Sequence, residues 1–137
     1  MKTVETDADP AVYLAGIAHA GRREDAASVM AMMARVTGWP PRIWGDSIIG
    51  FGAYEYARAD GSRHRFFRTG LAPRKANLVV YVMPGVAKYA DHLVRLGPHR
   101  HSVSCLYLGR LKSVDMAVLE DLVRVSVADM ARLYPIS

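Results

Sequence analysis

Gly70-Leu-Ala-Pro-Arg-Lys-Ala-Asn-Leu-Val-Val-Tyr-Val-Met-Pro-Gly85 sets a stiff, doubly charged corner directly ahead of a β-branched run. Pro73 fixes its own φ and pushes Ala72 towards extended geometry, so Arg74 and Lys75 leave a rigid turn. Leu78 to Val82 (Leu-Val-Val-Tyr-Val) is a strand signal closed by Pro84-Gly85. A run of this kind must be buried, so the rest of the chain has to supply strands to pair with it and helices to cover it.

Upstream, Trp39-Pro40-Pro41 breaks a helix, and Arg42-Ile-Trp-Gly-Asp-Ser-Ile-Ile-Gly-Phe-Gly52 enters a first strand that is expected to continue to about Arg58. Gly50 and Gly52 point to one face of it, clearing space for a neighbouring backbone, a large ring or a ligand. Asp60-Gly61 is a hairpin signal, so Arg63 to Thr69 returns antiparallel. Downstream, Val86 to Leu96 carries Val86, Tyr89, Leu93 and Leu96 on one helical face and ends at Gly97-Pro98. Val103 to Leu111 alternates as a further strand, and Ser113 is expected to cap a last helix from Val114 to about Tyr134.

At the other end, residues 1–9 read as a loose tail. Asp9-Pro10 starts a helix that stops at Gly21, and Glu24-Asp25 starts a second that ends at Gly38. The order α-α-β-β-β-α-β-α defines an α+β domain spanning 1–137, with a mainly antiparallel sheet of about four to five strands. The last strand follows a helix and is open to a parallel pairing. Val114, Val118 and Val125 widen the apolar stripe of the last helix beyond one sheet face. The N-terminal helices or a second copy could cover the excess, the latter giving a homodimer through the C-terminal helix.

The 137 residues are 51% apolar, enough for one domain with a real core. No apolar run approaches the ~20 residues of a membrane span, and the first residues lack the apolar stretch of a secretory signal. A soluble, cytoplasmic protein with no membrane partner is expected. Cys105 is the only cysteine, which excludes an internal disulfide and a Cys-rich zinc site. From Arg58 to Arg110 ten Lys or Arg face only Asp60 and Asp91, so the net charge of +5 is concentrated in the middle of the chain. Such a middle marks an anion-binding face, or else a solvated surface that keeps sheet edges unpaired.

Strand alternation turns that charge into a candidate site. If Leu78, Val80 and Val82 face the helices with Leu106 and Leu108, then Asn77, Val79, Tyr81, Met83, Cys105 and Tyr107 line the opposite face. With Trp44, Asp46 and Tyr54 nearby and Arg68, Arg74 and Lys75 at the rim, this face could hold a flat or phosphorylated ligand. The alternative is a second, smaller core beneath the N-terminal helices. Cys105 reads as a small apolar strand residue more readily than as a nucleophile, and His99-Arg-His101 could offer two metal ligands from one extended segment. No paired carboxylates, Ser/His/Asp set, P-loop or dinucleotide fingerprint is present.

Three blocks together carry a family likeness: Trp44-Gly-Asp-Ser-Ile-Ile-Gly-Phe-Gly52, Thr69 to Gly85, and Ser104-Cys-Leu-Tyr-Leu-Gly-Arg-Leu111 followed by Val114-Asp115. From Glu24 to Arg132 the chain resembles the bacterial YdhG-like domain. The resemblance implies a single small α+β domain and no particular reaction. Some members are described as frataxin-like and linked to iron delivery for iron–sulfur assembly, which would make iron a cofactor or cargo. The leading expectation is a non-enzymatic binding or adaptor module whose basic corner recognises an anionic small molecule or an acidic protein surface. An iron-binding chaperone using His99, His101 and acidic helix residues is the alternative, and weak nucleic-acid binding through the Arg58–Arg110 excess is the third.

Overall fold

The β-branched run forms a strand at Leu78–Tyr81, in the interior of a six-stranded antiparallel sheet. The computed structural model describes residues 3–136. Its strands are β1 Arg42–Trp44, β2 Ile48–Phe51, β3 Tyr54–Ala57, β4 Arg63–Phe66, β5 Thr69–Pro73, β6 Leu78–Tyr81, β7 Arg100–His101 and β8 Cys105–Leu108. The helices are α1 Pro10–Ala15, α2 Ala20–Thr37, α3 Ala90–Leu96 and α4 Met116–Leu133. The sheet order is β1-β2-β5-β6-β8-β7, with β3 and β4 paired apart as a hairpin. This is the α+β class that the order of elements implies.

The expected faces of β6 and β8 are found. Leu78, Val80, Leu106 and Leu108 are buried with Ile49 and Leu71 against Val29 and Met33 of α2 and Leu119 and Leu122 of α4. Burying each such side chain stabilises by about 1.5–3 kcal/mol, so this single helix-covered face dominates the stability of the domain. Val114 and Val118 are buried and Val125 packs on the same core, because α4 lies against both α2 and α3. The wide apolar stripe is therefore covered within the chain.

Several expectations are corrected. The strand after the helix is not parallel to β6: β8 pairs antiparallel with β6 and with β7. The helical crossover does deliver a strand running parallel to β6, but that strand is the edge β7, and β8 turns back to fill the gap between them. The proposed first strand is three, because the chain turns at Gly45–Ser47 between β1 and β2 and breaks again after Phe51. The Arg63–Thr69 strand likewise divides into β4 and the start of β5.

The first helix stops at Ala15, not Gly21, and the second begins at Ala20, not Glu24, because the His19 imidazole accepts from the Arg22 N–H at 3.0 Å and serves as N-cap. Asp115, not Ser113, caps α4, accepting from the N–H groups of Ala117 and Val118 after a 3-10 turn at Leu111–Ser113. The expected loose tail is also tied down over its described residues. Glu5 bridges to Trp44, the Thr6 N–H donates to the Ile43 carbonyl at 2.8 Å, and the Gly45 N–H donates to that of Val4 at 2.8 Å. These bonds satisfy the edge of β1, which would otherwise present unpaired backbone groups to solvent. Among the described residues no helix is long and apolar enough to cross a membrane.

Candidate ligand-binding site

The hairpin β3–β4 continues the β2–β5 ladder. Ile49 pairs with Leu71 and Phe51 with Thr69; beyond a break, Tyr54 pairs with Phe66 and Ala57 with Arg63, with no slip of register. The break consists of Gly52-Ala53 on one strand and Phe67-Arg68 on the other, and Gly52 turns through a positive φ of 68°. At this lapse Phe67 folds onto the sheet face opposite the helices, over the cross-strand pair Gly50 and Gly70. A Cβ on Gly50 would lie 2.7 Å from Phe67 Cβ and Trp44 Cδ1, and one on Gly70 would lie 2.7 Å from the Ile49 carbonyl oxygen. Only glycines leave room for the ring. Phe67 is fully buried, with its ring 5.7 Å from that of Trp44 and 5.1 Å from that of Tyr81.

Seating Phe67 in this way leaves the next residue, Arg68, at the inner corner of the bend. Its backbone N–H donates to the Phe51 carbonyl at 3.0 Å, and its Nε donates to the Ala53 carbonyl at 2.8 Å, splinting the lapse in the ladder. Nη2 donates to the Tyr134 carbonyl at 2.6 Å and so ties the end of α4 to the ribbon. Arg68 is only 3% exposed, and its Nη1 is buried with no hydrogen-bond partner among the described residues. Burial lowers its pKa, but from a starting value so high that the guanidinium stays charged at neutral pH.

Around this group lies an open cleft of about 560 Å³, lined by Tyr54, Arg63, Arg65, Leu133 and Tyr134 among others. The Tyr54 and Tyr134 rings meet at 4.5 Å between centroids, and burial, with the neighbouring Tyr134 and Tyr56, pushes the Tyr54 hydroxyl up to about 12. Arg63 pairs with Glu55 at 3.1 Å and Arg65 with Glu5 at 2.6 Å. Arg68 instead meets two neutral carbonyls. Among the described residues no Ser, Cys or His lines the cleft, and its charged side chains are those of Glu55, Arg63, Arg65 and Arg68.

A second cleft of about 730 Å³ is lined by Trp44, Tyr56, Arg58, His64 and Phe66, and there the buried atom without a partner among the described residues is the Trp44 Nε1–H. An unpartnered neutral N–H costs about 1–3 kcal/mol, whereas a buried ion without counter-charge costs several. The Arg68 cleft is therefore the stronger candidate.

The residues grouped by sequence reasoning do not converge on one groove. Arg68 stands before β5, whereas Arg74 and Lys75 follow it in the β5–β6 turn, so about 3.3 Å per residue places them roughly 20 Å apart. Arg74 and Lys75 are exposed, and Asn77, half-buried, closes their turn by accepting from the Arg74 N–H at 2.9 Å. Trp44 and Tyr81 do share a face, but Phe67 fills the space between them and Trp44 is buried, giving a small aromatic core in place of an open groove. That core lies under Phe66 and Phe67, not beneath the N-terminal helices, which cover the opposite face.

Cys105, half-buried, is the register partner of Tyr81, and the Tyr107 hydroxyl lies 3.3 Å from that of Ser102. Asp46 is exposed in the turn after β1. Gly50 and Gly52 do not serve one face: Gly52 abuts the Trp39 ring, which packs on the helix-covered core, while Gly50 abuts Phe67 and Trp44. The His99 and His101 rings stack 6.2 Å apart, each with Nδ1 at a backbone carbonyl, and no group of three or more His, Cys, Asp or Glu among the described residues could hold a metal ion.

Comparison with protein-family models, with curated proteins and with solved structures gave no match to this chain. Sequence reasoning missed the roles of Phe67, Tyr134 and Leu133. The available signal was Phe66-Phe67 facing Gly50 and Gly70 across a hairpin: two adjacent bulky rings cannot both stay on one face of an unbroken strand.

Proposed function

We propose that the chain is a YdhG-like, non-enzymatic binding module that holds an anion in the Arg68 cleft. The observation that carries this reading is the Arg68 side chain, 3% exposed and charged, with Nη1 unpartnered among the described residues. A desolvated cation is costly unless a counter-charge meets it, and a ligand that supplies one recovers that cost as affinity. The splint to Ala53 and the tie to Tyr134 hold the guanidinium in one orientation at the wall of the cleft. The cleft volume also falls within the range of small-molecule sites.

The test is a thermal-shift screen of small carboxylates, phosphates and sulfate at two salt concentrations, on the native chain, on Arg68→Met and on Arg74→Ala with Lys75→Ala. An anion present at about a hundred times its Kd stabilises the folded state by about 2.7 kcal/mol. The expected result is a shift that tolerates salt, survives in the corner variant and disappears in Arg68→Met. A shift lost in the corner variant and kept in Arg68→Met would move the site to the β5–β6 turn, and no shift with any anion would overturn the reading.

A further inference from the structure

The charge inventory of the cleft narrows the class of ligand. Arg63 and Arg65 each already have a carboxylate, Glu55 and Glu5, while Arg68 has only two carbonyl oxygens. Among the described residues one positive charge is thus uncompensated. Nε and Nη2 each donate to a carbonyl, Nη1 is buried with no partner among the described residues, and the residue lines the cleft. A single unit of negative charge balances this site. A phosphate monoester carries about −1.5 to −2 near neutral pH and presents three acceptor oxygens, more than one free guanidinium nitrogen can meet.

The walls supply the second constraint. The adjoining Tyr54 and Tyr134 rings form one aromatic wall, 4.5 Å between centroids. Leu133 and Ile136 line the rim and are 53% and 63% exposed, apolar surface that no part of the described chain covers. A bare acetate or chloride would satisfy Arg68 and leave this surface wet. Resting on the anion-binding reading above, we infer that the ligand is a monocarboxylate with a flat or extended apolar body: the carboxylate at the Arg68 guanidinium, the body along Tyr54, Tyr134 and Leu133.

Calorimetric titration of the full chain at neutral pH tests this with phenylacetate as probe, and with acetate, 2-phenylethanol and phenyl phosphate as controls. Phenylacetate is expected to bind at least about tenfold tighter than acetate, which lacks the body, and than 2-phenylethanol, which lacks the charge. Arg68→Met should abolish phenylacetate binding, and Leu133→Ser, at an exposed position, should weaken phenylacetate while leaving acetate unchanged. If Arg68→Met does not fold, the side-chain Nε–H resonance of Arg68 in the native chain replaces it as the readout and should move on adding phenylacetate. Phenyl phosphate binding as tightly as phenylacetate, or acetate matching phenylacetate, would overturn the monocarboxylate inference and leave the anion-binding module standing. Failure of every anion in the wider screen would instead overturn the module itself.

Discussion

Arg68 and Arg74 flank the same strand, β5, and are built in opposite ways. Arg74 sits in a tight turn with its side chain in water, where a cation needs no partner and adds little to stability. Arg68, at the other end, follows the bend that seats Phe67 over two glycines; it is 3% exposed, and among the described residues its side chain donates only to neutral carbonyls. Both lie in the basic middle of the chain. Desolvation, more than the presence of charge, therefore separates a candidate site from a solvated surface, and desolvation here is produced by one bend in one ribbon.

The largest perturbation should come from removing what creates that bend. Phe67→Ala deletes a fully buried ring and is expected to destabilise by about 3–5 kcal/mol, measured by urea denaturation. It should also let Arg68 reach water and make it behave as Arg74 does, losing any anion-induced shift. Gly70→Ala, whose Cβ would stand 2.7 Å from a backbone carbonyl oxygen that cannot swing aside, should cost about 1–3 kcal/mol in the same assay.

Arg68→Met sharpens the comparison. It removes donors from the Ala53 and Tyr134 carbonyls but also removes an uncompensated buried charge, and these contributions oppose each other. The net change is expected to stay within about 2 kcal/mol while anion binding is lost. An unfolded variant would show instead that the splint is structural.

The pH dependence distinguishes the same two ends. The Tyr54 hydroxyl titrates at about 12 in the folded chain and at its ordinary value of 10.0 when unfolded. Between these values the unfolded state has lost a proton that the folded state keeps, so the stabilising contribution present below pH 10 is lost as pH rises towards 12. Tyr13, beside Arg74, is raised as well, by burial, with Arg74 opposing the shift. Tyr54→Phe should therefore flatten the alkaline fall in stability more than Tyr13→Phe does, as read from denaturation midpoints at a series of pH values. The smallest effect belongs to the corner: Arg74→Ala with Lys75→Ala should shift stability by no more than about 0.5 kcal/mol per residue in the same denaturation assay.

Much of the frame was legible because it rests on local rules. Asp9 capping α1, the Asp60-Gly61 turn, and the alternation that puts Leu78 and Val80 on the helix-covered face follow from spacing and turn chemistry, which act over a few residues. Elements were misplaced where an unusual group took a standard role, as with the His19 imidazole at an N-cap, or where a strand inserted itself between two others, as β8 does. The site was mostly illegible. Charge and strand alternation group Arg68 with Arg74 and Lys75, from which β5 separates it.

The sequence by itself determined the α+β class, the antiparallel hairpins, the buried face of the central strands and the basic character of the middle of the chain. Each of these depends on periodicity, turn residues or composition, which a linear reading contains. Only the tertiary structure decided which arginine loses its water, because burial is a sum over neighbours distant in the chain. Phe67 must find Gly50, and Arg68 must find the carbonyl of Tyr134, 66 residues away, before a common surface cation becomes a desolvated one.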